Sequence, residues 1–392
     1  MTSGINVVYK NNKKEAKMKK VKGISLVMLT IFVLVTLISI PSCKKQEEKV
    51  IKIGVMLPLT GGISFIGENF KNGLLLAQNE FGVKQGVKIV FEIEDHKNSS
   101  KNGVSIMRKF LMEGNMPIVV STITSVTNAI LPLIKGNPRV IISSITSGSK
   151  LPDKSQWLFR YFLSTVDEVS AMVSYLSSIG EDTVGIFYVN DDYGLDAMEV
   201  FSRKYRGFVK FKESYDKSAF DFKNLVPLAK TAKAIYILGY GSSYGIFVKQ
   251  LREYGYKGNI YAFSSFGNPE VLKQAGEYAK GVIFTGSNFY LSKKNKDIAS
   301  FVKNYEDLWH KKPDHYSAYG YDIGRIVFKI INELVRNNEE VTPDVIRKKI
   351  MQWKNFEGLF GSCFVMKNGD FRFKEVKILK IGKDNKIEEI TF

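Results

Sequence analysis

From Val50 onward, short continuous apolar runs alternate with stretches in which apolar residues recur every three or four positions. "VIKIGVMLP" reads as a buried strand. In "GENFKNGLLLAQNEF", Phe70, Leu74, Ala77 and Phe81 fall on one face of a helix. The strands "VKIVFEIED", "MPIVVS" and "RVIISS" follow, with helical stretches from Lys101 and Asn128 between them. A second series runs "TVGIFYV", "FVKFKES", "AIYILGY" and "NIYAFSS", with helices from Leu195, Phe222 and Tyr244. Continuously apolar strands joined by crossover helices predict parallel sheets covered on both faces. Two such series predict an α/β protein of two doubly wound parallel-sheet lobes.

The first fifty residues have a different pattern. "MKKVKG" from Met18 is basic, Ile24 to Ile40 is almost wholly apolar, and Cys43 follows the small residue Ser42. These are the parts of a secretory signal, with Met18 as the expected true start and residues 1–42 removed. "IPSC" resembles the bacterial lipobox, which implies lipidation at Cys43, a tether over residues 43–49 and a domain anchored to a membrane in the cell envelope. The alternative is an uncleaved anchor, since the run approaches the ~20 residues needed to span. Cys363, in "GSCFVM", is then the one cysteine left in the folded part and reads as a small buried hydrophobe.

Composition narrows the function. The 392 residues suit two domains, and 44% hydrophobic content supplies cores for both. The formal charge of +18 comes from 57 basic and 39 acidic residues scattered singly, without a basic helix or zinc-finger spacing, so no nucleic-acid partner is expected. His96, His310 and His315 lack metal-ligand spacing and are expected at the surface or at helix ends; no metal and no cofactor are expected. "GYGSSYG" departs from a dinucleotide fingerprint in its third glycine, and no G-x-S-x-G elbow exists, so no enzyme is indicated.

In folds of this kind ligands bind beyond the carboxyl ends of the strands. The loops there are rich in hydroxyls and aromatics: "LTGGISFIGE", "STITSVTN" and "SSITSGS" in the first series, "NDDYG", "GYGSSYG" and "SSFGNP" in the second. Any one serine or threonine among them can be a helix cap. Together, hydroxyls, free backbone N–H groups and positive helix ends suit a small anion.

"IKIGVMLPLTG" followed by "GENFKNGLLLA", then "FDFKNLV", "LREYGYKGNIYAF", "YSAYGYDIGRIV" and "FEGLFGSCFVMKNGD", resemble in their order the leucine/isoleucine/valine-binding proteins of ABC importers. The resemblance covers essentially all of residues 50–392 and implies a type I periplasmic binding protein fold, a monomer whose two lobes are joined by three hinge crossings. On that pattern the first lobe is residues 50–161 plus 288–356, and the second is 162–287 plus 357–392. The resemblance also implies a solute carboxylate held by Ser125, Thr146 and Ser147, with Tyr193 and Tyr240 closing from the second lobe, and a membrane permease as partner. Phe65 and Ile66 suggest an apolar wall. Branched-chain amino-acid binders carry an acid where this chain has Ser265, so either Asp191 or Asp192 substitutes or the ligand lacks an ammonium; the second is the expectation. A ligand-sensing or scaffolding surface lipoprotein is the alternative to an importer subunit.

Overall fold

The computed structural model describes residues 49–84, 87–114, 116–290 and 295–392. The signal sequence, Cys43 and the tether up to residue 48 lie outside the described residues. The first sheet contains β1 (Lys49–Leu57), β2 (Val83–Lys84), β3 (Val87–Asp95), β4 (Ile118–Thr122), β5 (Val140–Ser144) and β6 (Leu158–Arg160), in the order β2-β3-β1-β4-β5-β6. All neighbours are parallel except β2, which runs against β3. Its helices are α1 (Ser64–Phe81), α2 (Ser100–Met112) and the short α3 (Thr124–Ile130). Ile53, Val55, Met56 and Leu57 of β1 are all fully buried, as a strand covered on both faces requires.

The second sheet is built from β7 (Thr183–Val189), β8 (Phe208–Tyr215), β9 (Ala234–Leu238), β10 (Asn259–Ala262) and β11 (Ile283–Gly286). Its helices are α4 (Thr165–Ser178), α5 (Asp192–Lys204), α6 (Val226–Ala229), α7 (Ser242–Glu253) and α8 (Pro269–Ala275). The chain then returns to the first core with α9 (Lys296–Trp309), α10 (His315–Arg336) and α11 (Pro343–Met351). α10 lies against α1 in close backbone contact. A Cβ on Gly73 would meet the Ser317 carbonyl oxygen at 1.8 Å, and one on Gly320 the Phe70 carbonyl at 2.0 Å, so glycine is required at both.

Next comes an antiparallel three-stranded sheet, β12 (Phe356–Gly358), β13 (Gly361–Val365) and β14 (Phe371–Phe373). Phe356, Phe360, Cys363, Phe371 and Phe373 pack into the first core around Tyr161, and Cys363 is fully buried. Only β15 (Lys377–Ile381) and β16 (Ile387–Ile390) join the second sheet, antiparallel, beside β11. Residues 357–373 therefore pack with the first lobe's core, and the last passage between the sheets runs through Lys374–Val376 rather than at Phe356/Glu357. Alternating aromatics in a meander show which face is buried, but not which sheet receives it.

Polar anchors fix the passage after β6. Tyr161 Oη donates to Asp322 Oδ2 at 2.7 Å, and the same oxygen accepts the Leu359 amide at 2.7 Å. Burial pushes the Asp322 carboxyl up to about 6. Arg160, only 1% exposed, donates through Nε and Nη2 to the two oxygens of Asp370 at 2.8 and 2.6 Å. Removing one partner of such a buried pair strands the other charge. Asp370→Ala should therefore lower unfolding stability by about 3–5 kcal/mol in urea titrations; a loss below about 1 kcal/mol would show that Arg160 finds water or another acceptor.

Candidate functional site

The carboxyl ends of β4 and β5 face those of β7, β9 and β10 across a cavity. From the first lobe come Ile66, Ile123, Thr124, Ser125, Ile145 and Ser147; from the second come Glu168, Asp191, Tyr193, Tyr240, Ser264 and Ser265; Phe162 of the passage after β6 and Tyr316 of α10 complete the wall. Both strand ends of the first wall are strained. Ile123 and Ile145 each follow a strand directly and have φ of 68° and 56°. β-Branched residues rarely adopt such angles, at a cost of about 1–3 kcal/mol each.

Hydrogen bonds hold both turns. Of the five hydroxyls between residues 119 and 128, Ser121 and Thr127 bond each other at 2.8 Å, and Thr122 donates to the Met56 carbonyl at 2.9 Å. Thr124 and Ser125 reach the cavity wall. After β5, Thr146 donates to Ser143 Oγ at 3.0 Å. Thr165 holds the Ser147 carbonyl through its amide and hydroxyl at 2.9 and 2.8 Å. Arg160 Nη1 donates to the Gly148 carbonyl at 2.7 Å.

Ser125, Ser147, Tyr193, Tyr240 and Ser265 thus line one cavity, while two expected site residues do not. Thr146 is fully buried behind Ser147, its hydroxyl engaged by Ser143. Phe65 packs against Tyr316, ring centroids 6.2 Å apart, and the next residue, Ile66, forms the wall. The Ser265 hydroxyl donates to the Gly239 carbonyl at 2.7 Å. One histidine, His96, differs from expectation, being buried away from any helix end. His96 Nδ1 accepts the Asn98 amide at 3.1 Å, and Nε2 lies 3.1 Å from Thr122 Oγ1. Since that hydroxyl's proton goes to Met56, Nε2 carries the ring hydrogen. Burial lowers the pKa of His96 to about 4. His315, in the first turn of α10, is buried and lowered likewise. His310 caps α9 in the left-handed region. Among the described residues no group of three or more His, Cys, Asp or Glu side chains could hold a metal.

Sequence reasoning missed the most informative wall residue. Glu168 is 2% exposed and lies in the first turn of α4. Its Oε2 accepts the Ser264 amide at 2.9 Å and the Thr285 hydroxyl, and its Oε1 accepts Ser264 Oγ at 3.1 Å. Burial raises its carboxyl to about 7 against those bonds. "STVDE" gave no signal, because Ser164 caps α4 by accepting the Asp167 amide, and acids are ordinary in a helix's first turn. Of the two acids considered in its place, Asp191 lines the cavity and Asp192 does not. Asp191 caps α5, accepting the Tyr193 and Gly194 amides at 3.1 and 3.0 Å and the Tyr240 hydroxyl. Burial raises its carboxyl, opposed chiefly by the Tyr240 bond. Asp192 is exposed and accepts from Asn128 Nδ2 at 3.1 Å.

Contacts across the mouth complete the enclosure. Asp196 of α5 accepts the Ser149 amide at 2.7 Å and its hydroxyl, and Asn268 Nδ2 donates to Asp314 Oδ2 at 2.6 Å. Tyr240 packs against the first wall's apolar cluster as well as its own.

Residues 50–383 match the family described as periplasmic binding protein. A Leu/Ile/Val-binding protein homologue of Brucella melitensis is 25% identical over 247 residues, covering 60% of this chain and 67% of that protein. A leucine-binding protein of Thermotoga maritima superposes with a TM-score of 0.79 at 22% identity, over 87% of this chain and 98% of the other. A Rhodopseudomonas palustris ABC-transporter solute-binding protein in complex with 3,4-dihydroxybenzoic acid gives 0.78 at 19% identity, over 88% and 96%. The architecture is the type I periplasmic binding protein fold. Among the described residues no helix is long and apolar enough to cross a membrane.

The raised carboxyl makes a prediction. A folded state that holds the Glu168 proton more tightly than the unfolded chain loses stability as pH rises from about 4.5 to about 7. Glu168→Gln should therefore melt a few degrees above the parent at pH 8, and the gap should close by pH 4; an equal difference at both pH values would remove the titration from the explanation.

Proposed function

Because the chain belongs to the periplasmic binding protein family, we propose that it is the extracytoplasmic solute receptor of an ABC importer. It binds a small carboxylate-bearing or amino-acid-like metabolite between its two sheets and delivers it to a membrane permease. The observation that carries this reading is the composition of the cavity. Thr124, Ser125 and Ser147 give one wall its polar character beside Ile66, Ile123 and Ile145, and Tyr193 and Tyr240 stand on the other. Such a wall suits a solute with one anionic end and an apolar body. The named relatives bind leucine or an aromatic acid, solutes of that size and shape.

The mechanism follows from where the walls are attached. A solute seated against β4 and β5 offers its outer face to Tyr193 and Tyr240, so its binding energy favours the approach of the second sheet. The bonds of Asp196 to Ser149 and of Asp192 to Asn128 then hold the mouth shut. The passages at 161–164, 287–290 and 374–376 are the hinge segments, and the permease distinguishes the closed form from the open one. Anchoring by acyl chains on Cys43, after cleavage of a signal starting at Met18, keeps the receptor at the membrane.

Two tests follow. Titration with leucine, phenylalanine, benzoate and their analogues should yield a ligand that raises the melting temperature. Ser125→Ala should weaken that ligand by about 1–3 kcal/mol, the cost of leaving a buried charged acceptor without its donor. Unchanged affinity would move the carboxylate to another part of the wall. In a bacterial host, Cys43→Ala should abolish incorporation of labelled fatty acid and release the protein from the membrane fraction. Retention of the variant there would indicate the uncleaved anchor instead.

A further inference from the structure

This inference goes beyond the solute-receptor reading and concerns the outer edge of the second lobe. Residues 201–260 carry twelve lysines and arginines against four acids, a net charge of +8. Residues 49–392 together carry +12, from 48 basic and 36 acidic residues, so two-thirds of that excess falls on these sixty positions. The basic residues stand singly along the chain, and the fold gathers them. β8 is an edge strand, and the order of the second sheet places it at the far end from β11 and β15. The chain passes between the lobes after β11 and before β15, and α4, which receives the first passage, packs beside the same two strands. The β8 edge therefore lies on the side opposite the hinge, where the two lobes part.

Contacts among these residues join them into one surface. The register between β7 and β8 slips at Val184/Gly185, so Lys210 bulges without a partner on β7. Its ammonium donates to the Thr231 carbonyl, just past α6. A Cβ on Gly255 would lie 3.6 Å from Lys230 Nζ, which sets that ammonium against the end of α7. At the same helix end, Lys223 Nζ stands 5.8 Å from the centre of the Tyr254 ring. Gln250 of α7 holds the loop before Lys223, accepting the Phe222 amide at 2.6 Å and donating to the Phe220 carbonyl at 2.9 Å. Lys212 and Lys217, on β8 and just past it, are exposed. Among the described residues Lys210, Lys212, Lys217 and Lys230 make no ion pair, and Lys223 meets only Asp221, at 3.8 Å. On the first lobe, by contrast, Lys52 and Lys109 are taken up by Glu92, Glu94 and Glu113. Beside the free lysines three large apolar side chains stand in water: Phe208 is 65% exposed, Phe220 64% and Tyr254 44%.

We infer that this basic, aromatic edge docks on a membrane surface of anionic phospholipid headgroups. The phosphates supply the counter-charge that the protein withholds, and a lysine held at such a surface gains about fivefold in partitioning. The headgroup layer also takes up aromatic rings, which removes Phe208, Phe220 and Tyr254 from water. A second copy of this chain fits the edge poorly. Like charges would meet, and a bulged, lysine-bearing edge strand resists pairing with another strand. A dissolved polyanion would answer the lysines and leave the rings exposed. Docking by this edge turns the side on which the lobes part towards the bilayer.

The test is lysine acetylation footprinting, read by mass spectrometry, of the full-length chain reconstituted into vesicles. One set is phosphatidylcholine alone, and the other holds about 30% phosphatidylglycerol. The N-terminal segment holds the chain on both, so a difference between them reports the folded part. Lys210, Lys212, Lys217, Lys223 and Lys230 should react about fivefold more slowly on the anionic vesicles. Lys303 and Lys348, exposed on α9 and α11, should react equally on both. The protection should vanish in about 1 M salt, where the screening length falls to about 3 Å. The triple variant Lys212→Glu, Lys223→Glu, Lys230→Glu should lose the protection of Lys210 and Lys217 while its melting curve shows it folded. Phe220→Ser with Tyr254→Ser should weaken the protection with every lysine kept. Equal rates on the two vesicles, or equal protection of Lys303 and Lys348, would overturn the inference. So would protection by dissolved poly(glycerol phosphate) as strong as that by the anionic vesicles, which would assign the edge to a soluble polyanion. Each of these results leaves the receptor reading intact, since no solute enters the measurement.

Discussion

The ion pair between Arg160 and Asp370 is the constraint on which the first wall of the cavity depends. Arg160 ends the last strand of the first sheet, and each nitrogen of its guanidinium is used. Two bond Asp370, and the third reaches the Gly148 carbonyl and, at 3.4 Å, that of Thr146. The planar fork thus fixes the turn after β5 from beneath. That turn needs fixing, because Ile145 holds a backbone conformation its side chain disfavours. Thr165 grips the Ser147 carbonyl from the start of α4, so one short loop is tied both to the late meander and to the first helix of the second lobe.

The same economy recurs at the neighbouring passage. Asp322, deep in α10, receives the Tyr161 hydroxyl and the Leu359 amide on one oxygen and Arg325 on the other. Arg372, just beyond Asp370, reaches Asp167 beside Glu168. Residues that bear on the cavity are therefore held by partners more than 150 positions away in sequence. This explains why the meander β12–β14 packs where it does. If it lay on the second lobe, Arg160 would lack its carboxylate and the wall loop its support.

This long-range anchoring marks what could be read from the sequence. Apolar runs of four to eight residues and the helical period of Phe70, Leu74 and Ala77 identify strands, helices and parallel sheets, because these patterns are local. The strand-end rule then selects loops that meet at one cavity, lined by Ser125, Ser147, Tyr193, Tyr240 and Ser265. Within a loop the pattern loses resolution. Ile145, with its left-handed backbone, turns Ser147 to the cavity and Thr146 to the interior, and no period predicts that. Phe65 and Ile66 both sit in the first turn of α1, where successive residues face different ways, and only Ile66 forms the wall. His96 looks exposed in "EDHKN" because Thr122, the side chain it bonds, is distant in sequence. Glu168 is hidden by the ordinary meaning of an acid in a helix's first turn. Only the position of α4 beside the wall loop makes it part of the site.

The overall charge and the local charge of the molecule have opposite signs, and this bears on which solutes arrive and which stay. The sequence carries a formal charge of +18, while the only charged side chains lining the cavity, among the described residues, are acids. Surface lysines act through solvent and are screened over about 8 Å at physiological ionic strength. They favour the approach of anions only weakly, and they disfavour simple cations. Inside, burial removes that screening, so Glu168 and Asp191 penalise the same anions far more strongly than the surface attracts them. A zwitterion, one of the solute kinds that the proposed function allows, would escape both penalties, having no net charge for the lysine field to repel and opposite charges for the two walls.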